Sequence, residues 1–168
     1  MNKYAVIGII LGTVIIIGGL IWVGKSTINP NDLSTDLSNQ SGSSLMAQEL
    51  NFDFGTISMS NGKVGHEFTV TNSSNQPINI RKIYTSCMCT SVNFKFNQKK
   101  YGLFGMEGMG GLTSANITMN PGESGIVEAI YDPNAHGPAG VGPVDRFIYI
   151  EDKNGSQLQL EIKAVVTP

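Results

Sequence analysis

The stretch "TSCMCT", Thr85 to Thr90, holds the only two cysteines of a 168-residue chain, separated by a single methionine. Four chemistries are open to such a pair: a disulfide, a soft-metal site, a redox centre, or two small apolar side chains in a core. On an extended strand residues i and i+2 share a face, so both sulfurs project together. Their Cα atoms then stand near the roughly 7 Å limit for bridging, and a disulfide requires the backbone to turn. Such a bond closes a very small ring, adds little chain-entropy stabilisation and is easily reduced, which suits redox work better than stapling. In the reduced state two thiolates on one face suit a soft cation, and copper(I) accepts thiolate, thioether and imidazole together. The spacing is not the Cys-x2-Cys of zinc sites.

Partners for these sulfurs are few. Met88 lies between them, Met106 and Met109 lie in the segment "GLFGMEGMGG", and His136 lies in "DPNAHGPAG". The candidate metal set is therefore Cys87, Cys89 and His136 with Met106 and Met109, and the candidate cofactor is copper. Each residue also has a plainer role. Methionine fills irregular gaps in cores, and free cysteine behaves as a small hydrophobe. His66 alternates with Val64, Phe68 and Val70 and is expected as a half-buried strand residue with one hydrogen bond, although it joins the ligands if its strand comes near. His136 either pins its own loop to a backbone carbonyl or serves as a ligand.

Catalysis needs a nucleophile, a base, and a third group that holds the base. Cys87 or Cys89 with His136 and Asp132 or Asp145 supplies the types, but no spacing requires the arrangement. The chain has no nucleophile elbow, zincin helix or phosphate-binding glycine loop, so it is read as a non-enzyme. A formal net charge of -2, with Lys95, Lys99 and Lys100 as the one basic cluster, argues against nucleic acid as a partner. Sequons at Asn72, Asn116 and Asn154 are read as chance.

The elements that position these groups follow from periodicity. "YAVIGIILGTVIIIGGLIWV", Tyr4 to Val23, has no charge and no proline, and a run of about 20 apolar residues spans a bilayer as a helix. No small-x-small cleavage site follows it, so residues 1–25 read as an uncleaved signal anchor. Lys3 precedes the run and Lys25 follows it, with Asp32 and Asp36 beyond; this weakly favours a cytoplasmic N-terminus and an extracytoplasmic remainder. Residues 26–48, rich in Ser, Asn, Asp and Thr, read as a flexible polar tether. From residue 49 onward the pattern is β. "KVGHEFTVTN", "INIRKIY", "GIVEAIYDP", "RFIYIED" and "LQLEIKAVV" alternate, with turn signals between them. In the last of these Leu158, Leu160, Ile162, Ala164 and Val166 form one apolar face. Ile83 falls out of step with Ile78 and Ile80, which predicts a bulge or a bend there. Two segments break the rhythm, residues 97–116 (rich in glycine and methionine) and residues 132–146 (rich in proline and glycine). Long loops on a stiff sandwich are where function is expected.

The pattern "FDFGTI…FTVTN…QPINI…TSCMCTS…PGESG…YDP" resembles the bacterial domain-of-unknown-function family 1573, related to Hydin-type immunoglobulin-like domains. The resemblance runs from Phe52 to Val166, and "SCxCT", Ser86 to Thr90, is its most specific element. It implies an exported, often membrane-tethered β-sandwich and supplies no activity. The expected protein is mainly β: an immunoglobulin-like β-sandwich over residues 49–168 behind one N-terminal transmembrane α-helix. It is single-pass in the cell membrane through residues 4–23. Its function is read as soft-metal binding, or alternatively as a protein-binding scaffold in the cell envelope with structural or redox cysteines.

Overall fold

The computed structural model describes residues 44–168. The expected transmembrane helix of residues 4–23 and the tether up to residue 43 lie outside the described residues. Among the described residues no helix is long and apolar enough to cross a membrane.

The described residues form ten strands and two single turns of 3-10 helix. The strands are β1 (Leu45–Ala47), β2 (Asn51–Ser58), β3 (Val64–Asn72), β4 (Ile78–Thr85), β5 (Thr90–Phe96), β6 (Lys99–Phe104), β7 (Ser114–Met119), β8 (Ser124–Tyr131), β9 (Gly142–Asp152) and β10 (Gln157–Thr167). They make two five-stranded sheets, ordered β1-β3-β8-β5-β6 and β2-β10-β9-β4-β7. Every pairing is antiparallel except that of β2 with β10.

One core lies between the sheets. Phe68, Val70, Val92, Phe94, Val127 and Ala129 come from the first sheet, and Ile80, Ile83, Ile148, Ile150, Leu158 and Leu160 from the second. The strict alternation of β10 buries all five residues of its apolar face. Burial of this kind stabilises by about 25 cal/mol per Å² of apolar surface removed from water. The irregular spacing of Ile83 resolves as expected: the register of β4 shifts between Ile80 and Lys82 against both neighbours, so Ile80 and Ile83 both face inward.

Two boundaries differ from the sequence reading. The sandwich starts at Leu45 rather than residue 49, because Leu45–Ala47 pair with Val70–Asn72 and Leu45 is buried. The segment at 97–116 is not one loop. Its first part is β6, joined to β5 by a two-residue turn, with Asn97 at φ 49° and Gln98 at φ 62°. That is the left-handed pair a tight hairpin turn demands. Gly102 hides the strand in the sequence and makes it fit: its φ is 117°, and a Cβ there would lie 2.7 Å from the carbonyl oxygen of Val92.

Asn72 explains the first sequon. It is fully buried; its amide donates to the carbonyls of Gln76 (2.8 Å) and Met119 (2.9 Å), and its Oδ1 accepts from Ser74. It braces the turn after β3.

Candidate functional site

Two chain crossings between the sheets meet at one end of the sandwich. β4 belongs to the second sheet and β5 to the first, so Ser86–Cys89 is the crossing between them. The return crossing, residues 132–141, runs from β8 to β9. Thr90 and Tyr131, at the site ends of β5 and β8, are paired in register. The crossings are stitched together where the Asp132 N–H donates to the carbonyl of Cys89 at 2.8 Å.

The cysteines are not on an extended strand. The backbone turns through Met88 and Cys89, and the Thr90 N–H donates back to the carbonyl of Cys87 at 3.1 Å. The buried hydroxyl of Thr85 lies 2.9 Å from the carbonyl oxygen of Cys87 and 3.0 Å from that of Thr90, closing the loop from inside. This turn brings the two Cα atoms to 5.2 Å, and Cys87 and Cys89 form a disulfide. The geometric obstacle expected of an extended Cys-x-Cys is removed by the turn, since 5.2 Å lies within the range for bridging.

The two sulfurs have unlike surroundings. Cys89 is 2% exposed, and its Sγ accepts a hydrogen bond from the Nε of Arg146 at 3.2 Å. Cys87 is only partly buried, and the Nε2 of His136 lies 3.1 Å from its Sγ. The ligand atoms of Cys87, Cys89 and His136 all lie within 4.8 Å of one another. His136 and Arg146, with Pro143 and Val144, line a cleft of about 310 Å³.

Met106 and Met109 occupy a different cleft, of about 160 Å³, lined also by Met88 and Leu103. A backbone bridge between Thr85 and Met106 and an ion pair between Lys82 and Glu107 (2.6 Å) fix this loop against β4. Met88 and Met109 are 54% and 59% exposed, so they form a soft apolar surface beside the cysteines. His66 has the role expected of it: it stacks on Phe52 with ring centroids 3.6 Å apart and contacts Glu49 at 2.5 Å, half-buried on β3. Asp132 receives the Asn134 N–H on its side chain at 2.9 Å, so it shapes the crossing that carries His136. Asp145 is exposed, and its carbonyl accepts from Arg146 Nη1.

Arg146 was missing from the sequence-derived set. A signal for it exists: along β9 the inward-facing positions run Val144, Arg146, Ile148, Ile150 and Asp152, and Arg146 is the charge set inside the apolar run, whereas Asp152 at the strand end accepts from the Asn154 and Ser156 N–H groups of its own turn. A charge at an otherwise apolar parity asks for a partner, and the partner here is the sulfur of Cys89.

A larger cleft of about 400 Å³ lies elsewhere, at the β5–β6 turn. Two of its lysines are already engaged: Lys95 with Glu67 and Glu128, and Lys100 with Glu128. These lysines, chiefly Lys95, and the Asn93 amide hold the Glu128 carboxyl at a pKa of about 2.

A family model covers the loop that carries both cysteines. The model of the family described as "Protein of unknown function (DUF1573)" matches residues 45–105. Over that segment the chain is similar to this family. The DUF1573 match is shorter than the Phe52–Val166 span of the sequence resemblance; it contains both cysteines and stops before His136 and Arg146. No curated protein sequence matches the chain. Among solved structures, a protein of unknown function from Porphyromonas gingivalis W83 aligns at TM-score 0.51 and 12% identity, covering 72% of this chain and 46% of that one. A family 123 glycoside hydrolase from Clostridium perfringens aligns at TM-score 0.50 and 6% identity, covering 70% of this chain and 22% of that one. The ASH / PapD-like domain of human CEP192 aligns at TM-score 0.41 and 10% identity, covering 83% of this chain and 96% of that one. The chain thus spans less than half of the Porphyromonas protein, and at these identities the likeness to it and to the Clostridium hydrolase is one of fold alone.

Proposed function

We propose that this is a membrane-anchored, extracytoplasmic β-sandwich that binds a soft cation, copper(I), through Cys87, Cys89 and His136 when the cysteines are reduced. The observation that carries the reading is the convergence of those three ligand atoms within 4.8 Å at the junction of two crossings. The donor set fits: thiolate and imidazole are the ligands copper(I) prefers. Two thiolates around one copper(I) leave a net negative charge, and the Arg146 guanidinium beside Cys89 offsets it. The anchor rests on the uncharged run Tyr4–Val23. On this reading the protein sequesters or delivers metal and does not turn over a substrate.

The oxidised pair favours a second reading, in which the disulfide braces the crossing of a scaffold module. Magnitude counts against it. A ring enclosing one intervening residue removes only about 1.5 kcal/mol of loop entropy, against about 3 kcal/mol for a fifteen-residue loop.

The test is an anaerobic titration of the full-length protein in detergent with copper(I) against a competing chelator. Tight one-to-one binding by the reduced protein, absent in the oxidised protein and lost in Cys89→Ser, is the expected result. No binding beyond that of the chelator overturns the metal reading.

A further inference from the structure

We infer that the Cys87–Cys89 disulfide is a polarised electron acceptor for a protein dithiol, with Cys87 the sulfur that is attacked and Cys89 the sulfur that is released. Three observations divide the roles. Cys87 is partly open to solvent, whereas Cys89 is 2% exposed and beyond the reach of an incoming sulfur. The Arg146 Nε sits 3.2 Å from the Sγ of Cys89, where a guanidinium stabilises a departing thiolate. The residues that touch the two sulfurs, His136 and Arg146, together line one cleft beside the disulfide, a seat for a partner side chain.

The step balances without a further reagent. One thiolate of the partner attacks Cys87 Sγ; the Cys87–Cys89 bond breaks, and Cys89 leaves as a thiolate beside Arg146. The partner's second thiolate then attacks its own sulfur in the mixed disulfide and expels Cys87. The partner loses two electrons and gains a disulfide, and its two thiol protons pass to the released cysteines. Exchange is fastest when the leaving sulfur is the better-stabilised thiolate, and stabilising the reduced form makes a pair more oxidising. Arg146 acts in both senses, and opening so small a ring costs the fold little of its chain-entropy stabilisation. The reaction is stoichiometric, one disulfide per chain, and stands whether or not the site holds metal.

The experiment uses the oxidised full-length protein in detergent with a metal chelator present, so failure of copper binding cannot mimic its result. Reduced glutathione is the probe. The reaction is stopped early with N-ethylmaleimide, and the adducts are assigned by fragmentation mass spectrometry. Glutathione on Cys87 with maleimide on Cys89 is expected; the reverse pattern, or an even mixture, overturns the assignment. The opening rate is then compared in Arg146→Met and Arg146→Lys. A fall of about tenfold in the first, with most of the rate kept in the second, is expected of charge acting on the leaving sulfur. An unchanged rate in folded Arg146→Met overturns the role of the guanidinium. Should that variant not fold, the wild-type adduct map and the lysine variant still decide the matter.

Discussion

The Nε of Arg146, on the first half of β9, donates to the Sγ of Cys89 in the crossing between β4 and β5. This contact joins the strand of one sheet to the loop that leads into the other. It makes Arg146 part of the candidate site although it lies outside the residues that the family model matches. Four expectations follow from this arrangement and from the fold that holds it.

The ligand set is tested by contrast. Replacing His136 by Ala removes an exposed loop side chain, so stability should change by no more than about 0.5 kcal/mol. Copper(I) affinity of the reduced protein should fall by more than the roughly 10–100-fold that loss of an outer-shell partner costs. Met109→Leu, in the other cleft, should leave that affinity within about threefold. Competition titration checks both.

The two faces of β10 should respond differently. Leu160 is fully buried and Val165, on the same strand, is 46% exposed. Leu160→Ala should cost about 2–5 kcal/mol. Val165→Ala should stay within about 0.5 kcal/mol. Urea unfolding of the two variants gives the comparison.

Gly102 should tolerate no side chain. Its positive φ and the 2.7 Å approach to the Val92 carbonyl mean that Gly102→Ala strains both backbone and packing. The expected loss is about 1–3 kcal/mol. A shift of the denaturation midpoint with an unchanged slope would register it as stability alone.

The charge cluster on the outer face of the first sheet predicts a pH window. The Glu128 carboxyl is held at a pKa of about 2, chiefly by Lys95 and further by Asn93 and Lys100, below its ordinary 4.5. Its folded pKa is lowered, so its contribution is complete above about pH 4.5 and fades as the pH falls toward 2. Wild type should therefore exceed Glu128→Gln in stability at pH 7, and the gap should close between pH 4.5 and 2. Urea midpoints across that range measure it. A gap that widens on acidification would contradict the assignment.

Legibility in the sequence varied for physical reasons. β3, β8 and β10 announce themselves because each buries one face and their apolar residues alternate cleanly. The bulge in β4 was visible as one residue out of step. β6 was hidden: it is an edge strand with two lysines, a glycine and little burial, so the alternation that marks a strand is missing. β1 was hidden because three residues in a polar run carry no period. At the site, Cys87, Cys89 and His136 were recognisable by type. Their convergence was not, because it depends on which sheets the flanking strands join. The methionines were grouped with them on softness alone, and the loop geometry seats Met106 and Met109 in a cleft with Met88.

The Thr85 hydroxyl bears on what a change of oxidation state can communicate. Its single proton is shared between the carbonyls of Cys87 and Thr90, both within hydrogen-bond distance, and the Asp132 amide donates to that of Cys89, so these holds on the loop involve neither sulfur. Opening or closing the disulfide therefore rewrites a chemical label on a frame that keeps its outline. On the exchange inferred above, a partner would meet that label at the sulfurs themselves, by contact rather than through a change of shape.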